Sequence, residues 1–320
     1  NPVNESDKTI HEFPCYSFVL GDLHAHVVNV MFVTFLVGML YAWMKKIRSA
    51  GPEPEKQDVR DFWLKQLLMP HILLAAVLLG MFQWTNYWDF VIYFVVTGGV
   101  VLIANIIRFE GKVTRILAVT IAQAVEIIAV SYLVILPFTL KFETMVQGVA
   151  IAQHHSLWYQ LLILWGLPVF LTVLLIISVL TEKLKGMKHK SLYRLLEAVS
   201  VPDLFAVIMG LCAIGLILIP EIVYVRDIYE NGNARANTMF KLTYGIWDLP
   251  DACSIEAENH PDLFRYWPFC ADLDGRIFWK CCALLVRGGM ESFKLSGIEC
   301  YYISGNRFSA GCGGNPLAER

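Results

Sequence analysis

The sequence predicts an all-α membrane protein: a polytopic transmembrane helix bundle of about six spans, followed by a non-membrane C-terminal tail. Three observations carry this. The 320 residues are 56% hydrophobic and only 17% charged, against about a quarter charged in ordinary soluble domains. Mean hydropathy is +0.53. The apolar residues fall in runs long enough to cross a hydrocarbon core, which takes roughly 20 residues per helix. The formal net charge is −2, so there is no basic excess for a nucleic-acid partner. Membrane lipid is the expected environment.

The expected spans are residues 27–44, 63–83, 90–107, 116–139, 157–180 and 202–225. Val and Ile abound in them, but lipid leaves unpaired backbone groups no partner, so each is expected to be a helix. The first follows a polar motif and stops before Lys45. The second contains Pro70 and His71; proline is tolerated near a helix start. The third ends before Arg108. The fourth carries Glu126, a charge that costs on the order of 3 kcal/mol inside a span. The fifth follows His154 and His155, and the sixth stops before Arg226. Together these make residues 1–245 a transmembrane domain, with 246–320 a separate tail.

Fourteen Lys and Arg lie in three alternate loops, against five in the other segments through residue 245. The positive-inside tendency puts the basic loops in the cytoplasm, in a multi-pass cell-membrane protein whose residue-1 end faces outside. Five of the eight histidines and the carboxylates Asp22, Asp89, Glu221 and Asp227 then gather on the outer face.

Three motifs concentrate this polarity. In the first, Glu12 precedes Asp22-Leu23-His24-Ala25-His26. If Asp22 and His26 share a helix, their i, i+4 spacing puts them on one face. Asp and His side chains there ligate a divalent metal, or hold a phosphate or sugar hydroxyl. The rival reading makes Asp22 a helix N-cap and the histidines interfacial anchors. The second motif is Asn86-Tyr87-Trp88-Asp89, a short turn. It is either an aromatic belt with caps or a binding surface for a sugar or lipid headgroup. The third runs from Glu221 through Asp227, Arg235 and Asn237 to Lys241. Arg and Lys suit an anionic phosphate headgroup; a solvated loop with internal ion pairs is the alternative. No P-loop, dinucleotide fingerprint, hydrolase elbow or HExxH zinc motif is present in the sequence.

The segments EFPCYSFVLGDLHAH, NYWDF and EIVYVRDIYENGNARANTMFKLTY resemble the YYY-type polytopic membrane proteins, a family of unknown function grouped with C-type membrane glycosyltransferases. The resemblance covers about residues 9–244. It implies half of a C-type bundle and transfer of a sugar from a polyprenyl-phosphate donor at the outer face. The family pattern falls on Glu12, Phe13, Ser17, Asp22, His24 and His26, then on Asn86, Trp88 and Asp89. At the third motif it falls on Glu221, Asp227, Arg235, Asn237, Thr238, Phe240 and Lys241. Ala25 and Ala236 replace an expected Pro and Met. The resemblance implies Asp22 or Asp89 as catalytic candidates. It assigns substrate binding to Glu12, His24, His26, Asn86, Trp88, Glu221, Asp227, Arg235, Asn237 and Lys241, and a divalent metal, if used, to Asp22, His24 and His26.

The tyrosine triplet and its first outer loop, where such transferases carry their principal acid, are expected upstream of Asn1. The chain is therefore read as a fragment. A transporter or channel, or a non-catalytic assembly subunit, is the alternative class of function. After Tyr244 the pattern changes and residues 246–320 hold six of the eight cysteines. A frameshift-derived, irregular tail is expected there, with a small disulfide-bearing domain as the rival.

Overall fold

A computed structural model describes residues 9–21, 23–54, 58–142, 148–185, 191–227, 233–257, 293–295 and 298–300. The chain falls into two compact units, Asn1–Pro268 and Phe269–Arg320. In the second, the described residues are two strands that pair antiparallel, Phe293–Leu295 with Ile298–Cys300. Apart from these strands and residues 246–257, which are helical, the tail lies outside the described residues, and neither the frameshift expectation nor its disulfide-bearing rival is tested.

The first unit is helical. A short helix α1 (Pro14–Leu20) opens with Pro14 and ends at Gly21, whose φ of +64° is the left-handed cap that glycine adopts without strain. It is followed by α2 (Ala25–Ala50), α3 (Val59–Leu67), α4 (Pro70–Thr85), α5 (Tyr87–Arg108) and α6 (Val113–Thr139). Strand β1 (Gly148–Ile151) leads to α7 (Trp158–Lys185), α8 (Leu192–Ala198) and α9 (Val201–Ile222). Strand β2 (Val223–Arg226) and α10 (Ala236–Ala257) complete the unit. The helix α10 runs through position 245, where the sequence suggested a boundary.

Among the described residues, five helices (α2, α5, α6, α7 and α9) are long and apolar enough to cross a membrane, and the pair α3–α4, bent by 40°, makes a sixth span if taken as one. The expected span over 63–83 corresponds to this bent pair, broken where Pro70 begins α4. Proline at 70 disfavours helical backbone at the residue before it, and Met69 is extended, with φ −68° and ψ 119°. The sixth expected span also ends early, at Ile222. The chain there turns extended and pairs antiparallel with β1, Ile151 opposite Val223 and Gly148 opposite Arg226.

The core follows helical periodicity. Val33, Leu36, Val37 and Leu40 of α2 are fully buried, as are Tyr93, Val96, Val100 and Ala104 of α5. Both sets recur at three- and four-residue steps, which place them on one face of each helix. Helix α7 is the contrast: Leu162, Ile163 and Phe170 stay 60%, 79% and 57% exposed. On a membrane span, lipid covers such a face.

The three basic loops meet at one end of the bundle. The Arg48 guanidinium donates to the carbonyls of Leu196 (2.6 Å), Val199 (3.0 Å) and Glu197, capping the C-terminus of α8 with a cation where the helix dipole favours one. Arg108, 4% exposed, donates to Asn105, Gln66 and Glu53 at 3.0, 2.6 and 3.3 Å. Glu53 also pairs with Lys65. The Asn86 turn, the start of α2 and the start of α10 lie at the opposite end.

Candidate functional site

At that opposite end α2, α5 and α10 converge. His26 is on the first turn of α2 and Asn29 one turn further, so they share a face. Asn29 Nδ2 donates to Asp89 Oδ2 at 2.7 Å. Asp89 is 4% exposed, on the first turn of α5, and Lys241 of α10 is near enough to act on it electrostatically. Lys241 Nζ is 3.2 Å from His26 Nδ1 and 5.0 Å from the centre of the Phe240 ring. A charged ammonium only donates, so Nδ1 accepts and the imidazole proton sits on Nε2. The His26 ring meets Tyr244 edge-on at 4.3 Å and Phe240 at 5.3 Å, and lies 5.7 Å from the His24 ring. His24 is exposed, so the cluster reaches the surface through it.

Two of the three sequence motifs therefore meet the third at one spot. Asp22 lies outside the described residues. The expected i, i+4 face for Asp22 and His26 needs a helix reaching back to residue 22, but α2 opens at Ala25 with His24 at its N-cap. Glu12 accepts from Ser17 Oγ at 2.5 Å; Ser17 is fully buried, so this pair braces α1. Asn86 joins α4 to α5 and its N–H donates to Phe82 O at 2.8 Å. Trp88 packs on the core.

Most of the third motif is folded upon itself. Arg235, 2% exposed, donates to Pro220 O at 3.2 Å and Glu221 Oε2 at 3.0 Å. Glu221 also accepts from the Ser156 N–H (2.8 Å) and hydroxyl (2.6 Å), and its carbonyl accepts from His155 Nδ1 at 2.8 Å. Asn237 donates to Asp227 at 2.8 Å. The Thr238 hydroxyl accepts from the Val225 N–H at 2.9 Å. This internal network ties the strand β2 to the starts of α7 and α10. It leaves Lys241 as the cation nearest the histidines.

Among the described residues no three His, Cys, Asp or Glu side chains come together as a metal site. Of the three metal candidates, His24 and His26 supply two imidazoles, which alone do not make a divalent-ion site, and Asp22 lies outside the described residues.

Sequence reasoning missed Asn29 and Ser156. Asn29 was visible as a polar residue three positions beyond His26 inside an apolar run, and such residues face protein rather than lipid. Ser156 carried no sequence signal, because its partner Glu221 is distant along the chain.

No curated protein and no solved structure matches this chain. The model of one family does, that of an uncharacterized membrane protein (DUF2298), over residues 4–201 and 191–249. The match takes in the spanning helices, the Asn86 turn and the Lys241–His26 cluster, and the chain belongs to this family of multi-pass integral membrane proteins.

Proposed function

We propose that the Lys241–His26 cluster is the headgroup site of a membrane glycosyltransferase of the YYY-type, C-type-like class, working at the outer face on a polyprenyl-phosphate sugar. The observation that carries it is the ammonium of Lys241 within 3.2 Å of His26 Nδ1, beside a buried carboxyl, at a bundle end away from the basic loops. A lipid-linked phosphate reaches that depth with its chain still in the bilayer. An ammonium is a point charge suited to phosphate, and exposed His24 adds a donor.

In the reaction an acceptor hydroxyl oxygen forms a bond to the anomeric carbon. The bond from that carbon to the phosphate oxygen breaks, and the lipid phosphate leaves with the electron pair. A carboxylate takes the hydroxyl proton; Asp22 and Asp89 are the candidates on this chain. Lys241 neutralises the charge growing on the phosphate. Glu12, Asn86, Trp88, Glu221, Asp227, Arg235 and Asn237 are positioning residues in this reading, holding the surrounding turns.

The test is donor turnover by the full-length protein in proteoliposomes. Removing one donor to a developing oxyanion costs about 10²–10³-fold in rate, and Lys241→Ala is expected to fall by that order with the fold intact. Unchanged rates in Asp22→Asn, Asp89→Asn and Lys241→Ala together would retire the site.

A further inference from the structure

A groove of about 320 Å³ lies between the N-terminal segment and the start of α7, lined by the polar Thr9, His11, Ser156 and Gln160 and by the apolar Leu161, Ile163 and Leu164. We propose that it seats a lipid whose headgroup is uncharged and carries a free hydroxyl. It adjoins the Lys241–His26 cluster through the contact of His11 with Thr243, but the proposal does not depend on the transferase reading.

Depth argues for a lipid. Trp158 and Tyr159, 75% and 41% exposed, open α7 with the aromatic pair typical of a membrane–water boundary. At 1.5 Å per residue, Gln160 to Leu164 sit just beneath that level. The apolar wall is continuous with the exposed, lipid-covered face of α7, so a hydrocarbon chain reaches the groove sideways from the bilayer. The volume falls in the range of small-ligand sites, roughly 300–1,000 Å³.

Hydrogen bonding selects the headgroup. The Thr243 hydroxyl donates to Met239 O at 2.6 Å, so its oxygen is left to accept from His11 Nδ1, 3.4 Å away. That fixes the His11 tautomer with Nε2 as an acceptor, and Nε2 bonds no described residue. It needs a donor, which a phosphodiester or a choline does not have. The Gln160 amide also bonds no described residue and offers both a donor and an acceptor. Charge is excluded as well. Burial holds the His11 imidazole below its usual range, so it is neutral at physiological pH. Its charged neighbour Glu221 is already paired with Arg235.

The full-length protein in nanodiscs containing dioleoylglycerol, its 3-acetyl ester, phosphatidic acid and phosphatidylcholine, released for native mass spectrometry, tests this. Dioleoylglycerol is expected to stay bound at least tenfold over the other three. Gln160→Leu is expected to lose that preference. Ile163→Trp, at an exposed position that tolerates bulk, is expected to lose retention by filling the groove. Equal retention of the diglyceride and its acetyl ester, preference for phosphatidic acid, or wild-type retention in both variants would each overturn the proposal.

Discussion

Arg235 and Lys241 are both cations of one motif, six residues apart, and the fold gives them opposite characters. Arg235 is buried and bonded to Glu221 and a carbonyl, with side chains 3% and 12% exposed across the pair. Removing one partner of a buried pair leaves the other charge uncompensated, typically at about 3–5 kcal/mol. Arg235→Ala is therefore expected to lower the melting temperature in detergent strongly. Lys241→Ala, at a half-buried position, is expected to shift it little while lowering donor turnover by about 10²–10³-fold. Equal melting losses in the two variants would erase the distinction. His11 supplies a pH signature. Its imidazole is held below its ordinary value of 6.5, chiefly by burial. The unfolded chain then takes up a proton as pH falls below 6.5 while the folded chain resists, so stability is lost between 6.5 and the lower folded value. Above 6.5 both forms are neutral and no effect is expected. Melting curves from pH 8 to 5 should bend downward only in the acid half, and His11→Phe should flatten that half.

Helices α4 and α6 approach closely at Gly80. A Cβ on Gly80 would stand 2.7 Å from Val134 Cβ and 2.9 Å from Ser131 O. One of these is backbone and cannot rotate away, so the helices would have to separate. Gly80→Ala is expected to cost about 1–3 kcal/mol, the range for overpacking. Gly98→Ala, with nothing within 4 Å of its Cβ, is expected to be neutral or mildly stabilising in the same melting assay. The helices themselves were legible because their signal is local. Expected 90–107 became Tyr87–Arg108, and expected 116–139 became Val113–Thr139. The ends run longer than read because polar end residues find partners beyond lipid: Arg108 extends α5 by reaching Gln66 and Glu53. What the text hid was non-local. The pairing of Ile151 with Val223 has no periodic trace in four-residue segments. Internal ion pairs, with no partners named, are one of two expectations for the third motif, and no spacing rule separates the Arg235–Glu221 pair from a ligand site. His26 and Lys241 each stood out as polar residues beside a span, but their meeting depends on how α2 and α10 pack.

At the scale of the molecule, polarity is divided between the two bundle ends, and the two sets differ in kind. The basic end is bound together: Arg48 closes α8, Arg108 and Lys65 share Glu53, and the Glu53 N–H donates to Arg108 O at 2.9 Å. Cations engaged in this way anchor loops. The other end holds the His24 and His26 imidazoles, the Asp89 carboxyl and Lys241 in a cluster that reaches the surface at His24. Charge bias sets orientation during insertion, so the basic end is expected in the cytoplasm and the Lys241–His26 cluster outside. Single cysteines at Leu23 and Tyr87, 84% and 58% exposed, mark one end; cysteines at Val59 and Val113, 71% and 65% exposed, mark the other. In intact cells an impermeant maleimide is expected to label the first pair and spare the second until the membrane is opened. Labelling of the second pair alone would invert the protein in its membrane and move the proposed donor site to the cytoplasmic leaflet, where a donor presented outside could not reach it. Labelling of one residue from each pair would break the bundle topology itself, since Asn29 and Asp89 are hydrogen-bonded at 2.7 Å and the starts of α2 and α5 cannot face opposite sides.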